Sequence, residues 1–253
     1  MGESCVLVGP QAEPSLACAA EEGASDAPAD AAAAADGAAD GAVKDAEPRR
    51  ALRAPRRFLR VALPAGSWSP SATAAAGCEV GGVAVRALPR AADGGEAAPL
   101  GAGGALLAFA LRFPPNFKFA RGGTLPGLFL HETDGEARVR VGFGWRAGGR
   151  CHVYCTRDGA PGDIEELSRA YFVAGRWHFL TVRLEASGTI TAWSGESPVA
   201  SGRVALPEGA TAGVLFTAFY GGATEDWAAP MDAYLDLGGF SVWSCHVRCS
   251  SVL

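Results

Sequence analysis

The strictest constraint on this chain is an alternation with a period of two. In ARVRVGFGW (residues 137–145), Val139, Val141, Phe143 and Trp145 share one side, and Arg138, Arg140, Gly142 and Gly144 share the other. In CHVYCTR (151–157), Cys151, Val153 and Cys155 oppose His152, Tyr154 and Thr156. Successive side chains of a β-strand point to opposite faces, so such runs bury one face and wet the other as strands. The intervening RAGG reads as a hairpin connection. ALLAFALRF (105–113) reads as a buried strand, and WHFLTVRLEA (177–186) with GTITAWSG (188–195) as a second hairpin. AGVLFTAFYGG (212–222) and DAYLDLGGFSVW (232–243) complete the series. No apolar period of 3.6 residues runs beyond two turns. The 34 glycines and 16 prolines favour turns over long helices. These features predict an all-β fold, a β-jelly roll built as a two-sheet antiparallel sandwich.

Composition divides the chain. Residues 20–47 are acidic, alanine-rich and nearly free of large apolar side chains. Such a segment cannot bury enough surface to offset its chain entropy, so it is expected to be disordered. The basic run RRALRAPRR (49–57) reads as a linker or as a polyanion contact. The expected division is therefore a disordered region over 1–57 and a β domain over 58–253. A net charge of −5 gives no bulk basic field for nucleic acid, though a local basic cleft remains open to an acidic ligand. No apolar run reaches membrane-spanning length, so no membrane partner is expected. The chain is expected to be soluble and monomeric. MGESCVLVGPQ lacks the basic and apolar regions of a signal peptide.

Seven cysteines leave at least one unpaired within the chain. CHVYC (151–155) and CHVRC (245–249) pair cysteines with histidines, as zinc sites do. In a strand, however, residues four apart stand roughly 13 Å from each other, too far for one tetrahedral ion. Buried thiols, or a disulfide between neighbouring strands, are the expected use. No metal and no cofactor is expected.

With Val139–Trp145 facing the core, Arg138, Arg140, His152 and Tyr154 share the other sheet face, beside the low surface of Gly142 and Gly144. The stretch FKFARGGTLPGLFL (117–130) extends the pattern. Phe117 and Phe119 face one way, Asn116 and Lys118 the other. Gly122 and Gly123 bend the chain after Arg121, and Pro126 with Gly127 redirects it again, bringing Lys118 or Arg121 to the edge of the same face. Such a face suits an anionic polysaccharide. Cations neutralise a uronate carboxylate and acidify the C5 proton; a Tyr or His removes it, and elimination breaks the bond at C4. Exposed strands also carry Arg, His and Tyr with no chemistry attached.

LRFPPNFKFARGGTLPGLFL resembles the Lys/Arg-Gly-Gly-Lys-Leu-Pro-Gly-Leu segment of polysaccharide lyase family 14, the alginate and glucuronan lyases. FTAFYGGATEDWAAPMDAYLDLGGFSV (216–242) resembles that family's C-terminal signature, and WHFLTVRL its Trp-containing strand. The likeness covers roughly residues 105–243 and implies a jelly roll whose concave sheet binds polysaccharide. The catalytic positions match less fully. The family's lysine falls on Thr124. Its Ser-x-Arg pair falls on Arg140 and Gly142, or after a two-residue slip on Arg138 and Arg140. Its Tyr-x-Tyr pair falls on Tyr154 and Thr156, so Tyr154 alone is retained outright. The resemblance implies Tyr154 as proton acceptor or donor. Beside it, His152 is the substitute base and Arg140 the carboxylate neutraliser. Lys118, Arg121, Arg138, Asn116 and Thr156 are the expected substrate-binding residues. Trp227 in the second motif is either structural or part of a sugar subsite. A polysaccharide-active protein is also expected outside the cell. The expected function is binding and cleavage of an alginate- or glucuronan-type polymer by β-elimination. A non-catalytic carbohydrate-binding relative is the alternative, and an adaptor using its acidic tail a third reading.

Overall fold

The alternation read from the sequence becomes the two faces of each strand. The computed structural model describes residues 54–75, 81–87, 100–101, 103–131, 137–222, 224–244 and 247–249. In chain order the elements are β1 (Phe58–Leu63), α1 (Pro70–Ala75), β2 (Val83–Ala87), β3 (Ala105–Arg112) and β4 (Gly122–His131). Next come β5 (Ala137–Arg146), β6 (Cys151–Arg157), β7 (Ala160–Pro161), β8 (Asp163–Glu166), β9 (Trp177–Leu184) and β10 (Thr189–Ser194). The last are β11 (Ser197–Arg203), β12 (Thr211–Tyr220), β13 (Ala233–Ser244) and β14 (Val247–Cys249). Among the described residues two short 3₁₀ turns, 147–149 and 225–227, add to α1.

Two antiparallel sheets result. One runs β1-β13-β3-β9-β10-β11-β8, with β14 also on β13; the other runs β2-β12-β4-β5-β6-β7. This is the expected all-β jelly-roll sandwich. Residues 1–53, including the acidic run and the start of the basic run, lie outside the described residues, as do the side chains of the second Cys-x3-Cys unit.

Both sheets point their apolar faces inward. Val139, Val141, Phe143 and Trp145 of β5 are each 0% exposed, and Cys151, Val153 and Cys155 of β6 are buried with them. Leu107, Phe109 and Leu111 of β3 and Leu180, Val182 and Leu184 of β9 face them from the other sheet. Phe109 meets Phe143 across the gap, edge to face at 6.0 Å. Each such side chain contributes about 1.5–3 kcal/mol by leaving water.

At one end of the core, Phe113, Phe117, Phe119, Trp145 and Tyr220 pack ring against ring. Trp145 Nε1 donates to the Phe119 carbonyl at 3.0 Å, and Tyr220 Oη donates to the Lys118 carbonyl at 2.5 Å. Two buried donors thus fix the loop between β3 and β4. Its Phe residues turn inward, and its Asn116 and Lys118 turn to solvent.

Pro126 and Gly127, read from the sequence as redirecting the chain, sit inside one strand. β4 continues through them, with a register shift against β5 between Thr124 and Gly127 and a matching shift against β12 between Leu215 and Phe219. Proline has no N–H to give the ladder, and a bulge is where a sheet tolerates that loss. The Leu125 carbonyl beside it accepts from Thr217 Oγ1 at 2.8 Å instead.

Candidate functional site

The outer face of the six-stranded sheet carries a groove of about 590 Å³. The strand registers explain its floor. Gly127 of β4 stands opposite Gly142 of β5, which stands opposite Tyr154 of β6. One row further, Phe219, Thr124, Gly144 and His152 face each other in turn. The two outward positions of β5 beside His152 and Tyr154 are therefore glycines. A Cβ on Gly142 would come within 2.8 Å of the Tyr154 hydroxyl, so the phenol lies across β5 only because that position is bare.

Walls and ends come from elsewhere in the chain. Leu215, Thr217 and Phe219 of β12, Ala84 and Arg86 of β2, and Ser69 to Ser71 before and within α1 make one side. The contact between Gly82 N–H and the Ala62 carbonyl at 2.8 Å sets β2 against β1 there. Arg140 and Thr156 stand toward one end; Arg146 and Trp227 stand toward the other. Three arginines line the groove, and no carboxylate does, among the described residues.

Tyr154 is the most unusual group in this site. Its hydroxyl is buried and completes no hydrogen bond. Thr217 Oγ1, its polar neighbour, gives its own hydrogen to the Leu125 carbonyl and is left facing the phenol as an acceptor, close enough to draw its pKa down but outside hydrogen-bond geometry. Burial pushes the phenol up to about 12, with Thr217 and Arg140 acting in the opposite direction. An unsatisfied buried hydroxyl costs about 1–3 kcal/mol, and such groups in native proteins call for an explanation, often a functional one. His152 is held the other way. Burial, then the charges of Arg146 and Arg150, bring it down to about 4, against a smaller opposing pull from Glu166. Near neutral pH the pair is therefore a neutral imidazole beside a protonated phenol.

The cysteines behind this face are free and buried. Burial, then Glu166, raises Cys151 to about 12, and burial raises Cys155 to about 11. They are packed thiols on the core side of β6. Among the described residues no three His, Cys, Asp or Glu side chains gather to hold a metal, and no helix is long and apolar enough to cross a membrane.

The predicted residues divide by position. Tyr154, His152, Arg140 and Thr156 meet in the groove. Lys118 and Asn116 are exposed on the β3–β4 loop and do not line it. Arg121 also stands outside it, paired with Asp226 at 3.1 Å. Arg138 lies within β5, but its side chain is outside the described residues. Thr124, at the position where the resemblance wants a lysine, lines the floor. Arg86, Arg146 and Thr217 were not picked out by the sequence reading. Arg146 had one available signal, its outward phase in β5; Arg86 and Thr217 had none, because β2 and β12 join the face only through the fold.

Comparison with known proteins bears on the fold. No protein-family profile matches the chain, and no curated protein matches it by sequence. Solved structures do match. The PL-14 alginate lyase from Aplysia kurodai is 21% identical, with a TM-score of 0.54 over 74% of this chain and 83% of that one. The alginate lyase Aly36B is 16% identical, with a TM-score of 0.57 over 75% of this chain and 82% of its own. The alginate lyase vAL-1 from a Chlorella virus is 13% identical, with a TM-score of 0.53 over 74% and 85%. At such identities the shared property is the fold. This chain has a polysaccharide-lyase-like jelly roll.

Proposed function

We propose that the protein binds an anionic uronic-acid polysaccharide of alginate or glucuronan type in the groove and cleaves it by β-elimination. Arg140 neutralises the substrate carboxylate. His152, neutral at physiological pH, takes the C5 proton; the freed electron pair forms the C4–C5 double bond and the C4–O bond breaks. Tyr154 gives its proton to the departing oxygen. The observation that carries this reading is the unpaired, buried Tyr154 hydroxyl, laid over Gly142 beside a neutral imidazole in a groove whose charged lining, among the described residues, is arginine. A base near pH 4 is weak in the free protein. An incoming carboxylate favours the charged imidazolium and raises it toward a useful range. Kinship of fold with alginate lyases, and a tetrasaccharide complex of an Aly36B mutant, support the choice of ligand.

One observation favours a second reading, a carbohydrate-binding relative without catalysis. Thr124 stands where the family resemblance calls for a lysine. Incubation with alginate and with polyglucuronate, followed by absorbance of the new C4–C5 double bond, decides between the two. Rising absorbance supports cleavage. Flat absorbance with retention on a polysaccharide gel supports the binding module, and neither signal would sink both.

A further inference from the structure

Arg146 and Trp227 form the end of the groove farthest from Arg140, and nothing in the elimination chemistry uses them. Trp227 belongs to the 3₁₀ turn 225–227. Its ring lies against Gly222, where an added Cβ would come within 1.9 Å of it. Arg146 lies over the same ring, its guanidinium carbon 5.8 Å from the centroid. With backbone on one side and a cation on the other, Trp227 is not a free platform for a sugar ring. It holds Arg146.

Arg140 and Arg146 share a phase on β5, six residues apart, which is about 20 Å of strand. Between them lie only Gly142 and Gly144 on that face, and opposite those glycines stand Tyr154 and His152. Neither arginine has a carboxylate partner among the described residues. By contrast Arg121, Arg150 and Arg157 are each paired with one. Arg146 is also partly desolvated and repelled by Arg150, which lowers its pKa; a ligand anion relieves that repulsion.

We propose that Arg146 is a distal carboxylate subsite and Trp227 its positioning residue, so that the polymer lies along β5 and spans both sides of the Tyr154–His152 pair. This deepens the polyuronate reading and rests on it. Cations on both sides of the reacting pair select an internal linkage. A ligand must also be long enough to reach both arginines: a tetrasaccharide is, a disaccharide is not.

The test uses the full chain carrying Tyr154→Phe, so that ligand survives the measurement. Saturated uronate oligosaccharides from di- to hexasaccharide are titrated calorimetrically. The expected result is a step in affinity on going from di- to tetrasaccharide. Arg146→Gln removes the step, about tenfold in Kd for the longer ligands, while leaving the disaccharide unchanged. Trp227→Ala reduces the step and Trp227→Phe restores it, which loss of fold would not do. A second arm follows polymer viscosity with the wild type: an early fall in viscosity ahead of the absorbance rise is expected for internal cutting. Equal affinity at every length, with no effect of Arg146→Gln, overturns the distal subsite and leaves the proposed function standing. Failure of every uronate to bind overturns the reading on which it rests.

Discussion

Two neighbouring side chains on β6 carry opposite perturbations, and their roles follow from that opposition. His152 is lowered to about 4 and Tyr154 raised to about 12, both chiefly by burial, which disfavours whichever form is charged. If His152 is the base, the acid limb of kcat/KM lies near pH 4, and the limb of kcat lies higher because the bound anion favours imidazolium; pH–rate profiles check both. Tyr154→Phe is expected to lower kcat by about 10²–10⁴-fold with little change in Kd, measured by the absorbance assay and by calorimetry. An equally fast phenylalanine variant would remove Tyr154 from the site. Stability follows the same imidazole. Unfolded His152 binds its proton near pH 6.5 and folded His152 near 4, so the unfolded state binds more protons between these values. The stability contributed by the neutral ring is complete above pH 6.5 and is lost as pH falls toward 4. His152→Gln is expected to flatten that part of the Tm–pH curve.

At the level of the element, β4 and β5 make the floor and β13 braces the opposite sheet. Gly142→Val should disturb the site first, because the added Cβ meets the Tyr154 hydroxyl at 2.8 Å, and it also presses on the Gly127 Cα of β4 at 3.0 Å. Its expected signature is a large loss of turnover with a smaller fall in Tm, read by the absorbance assay and by thermal unfolding. Asp236 on β13 is a different case. It is 0% exposed, yet its alternation places it on the outer face, opposite Arg60 of β1 and Arg112 of β3. Both guanidiniums cover it, at 2.8 and 2.7 Å, and stack in turn on aromatic rings: Arg60 on Tyr234 at 3.9 Å, Arg112 on Trp177 at 4.9 Å. Asp236→Ala leaves two cations facing each other without their anion. The arginines keep some access to water, so the expected cost is about 2–3 kcal/mol, below that of a fully buried pair, and denaturant unfolding measures it. The bulge at Pro126 belongs to this scale too. The redirection read at Pro126 is met inside β4 by a matching irregularity in β12, which no local pattern announces.

For the molecule as a whole, net charge and local charge have opposite signs. The chain is net negative, at −5, while its groove holds three arginines and, among the described residues, no lining carboxylate. Attraction for a polyanion is therefore local and subject to screening. Raising salt from 0.05 to 0.5 M is expected to weaken polyuronate binding several-fold, and calorimetry across that range checks it; salt-independent binding would argue against cations as the recognition element. The aromatic end of the core reinforces the arrangement. Trp145 and Tyr220 each spend their polar atom on the β3–β4 loop, which keeps Asn116 and Lys118 on the outside and away from the groove.

Much of this was already written in the alternation of β5 and β6. Period-two patterning is a local property, so the chain itself determined that Arg140, His152, Tyr154 and Thr156 share a face, that Val139 to Trp145 are core, and that the fold is a sandwich. It could not determine what stands opposite that face or at its ends. Arg86 and Thr217 arrive there through sheet order, and Arg121 pairs with Asp226 outside the groove. Those placements depend on pairings between residues far apart in sequence, whose registers are set by the packing of the whole core.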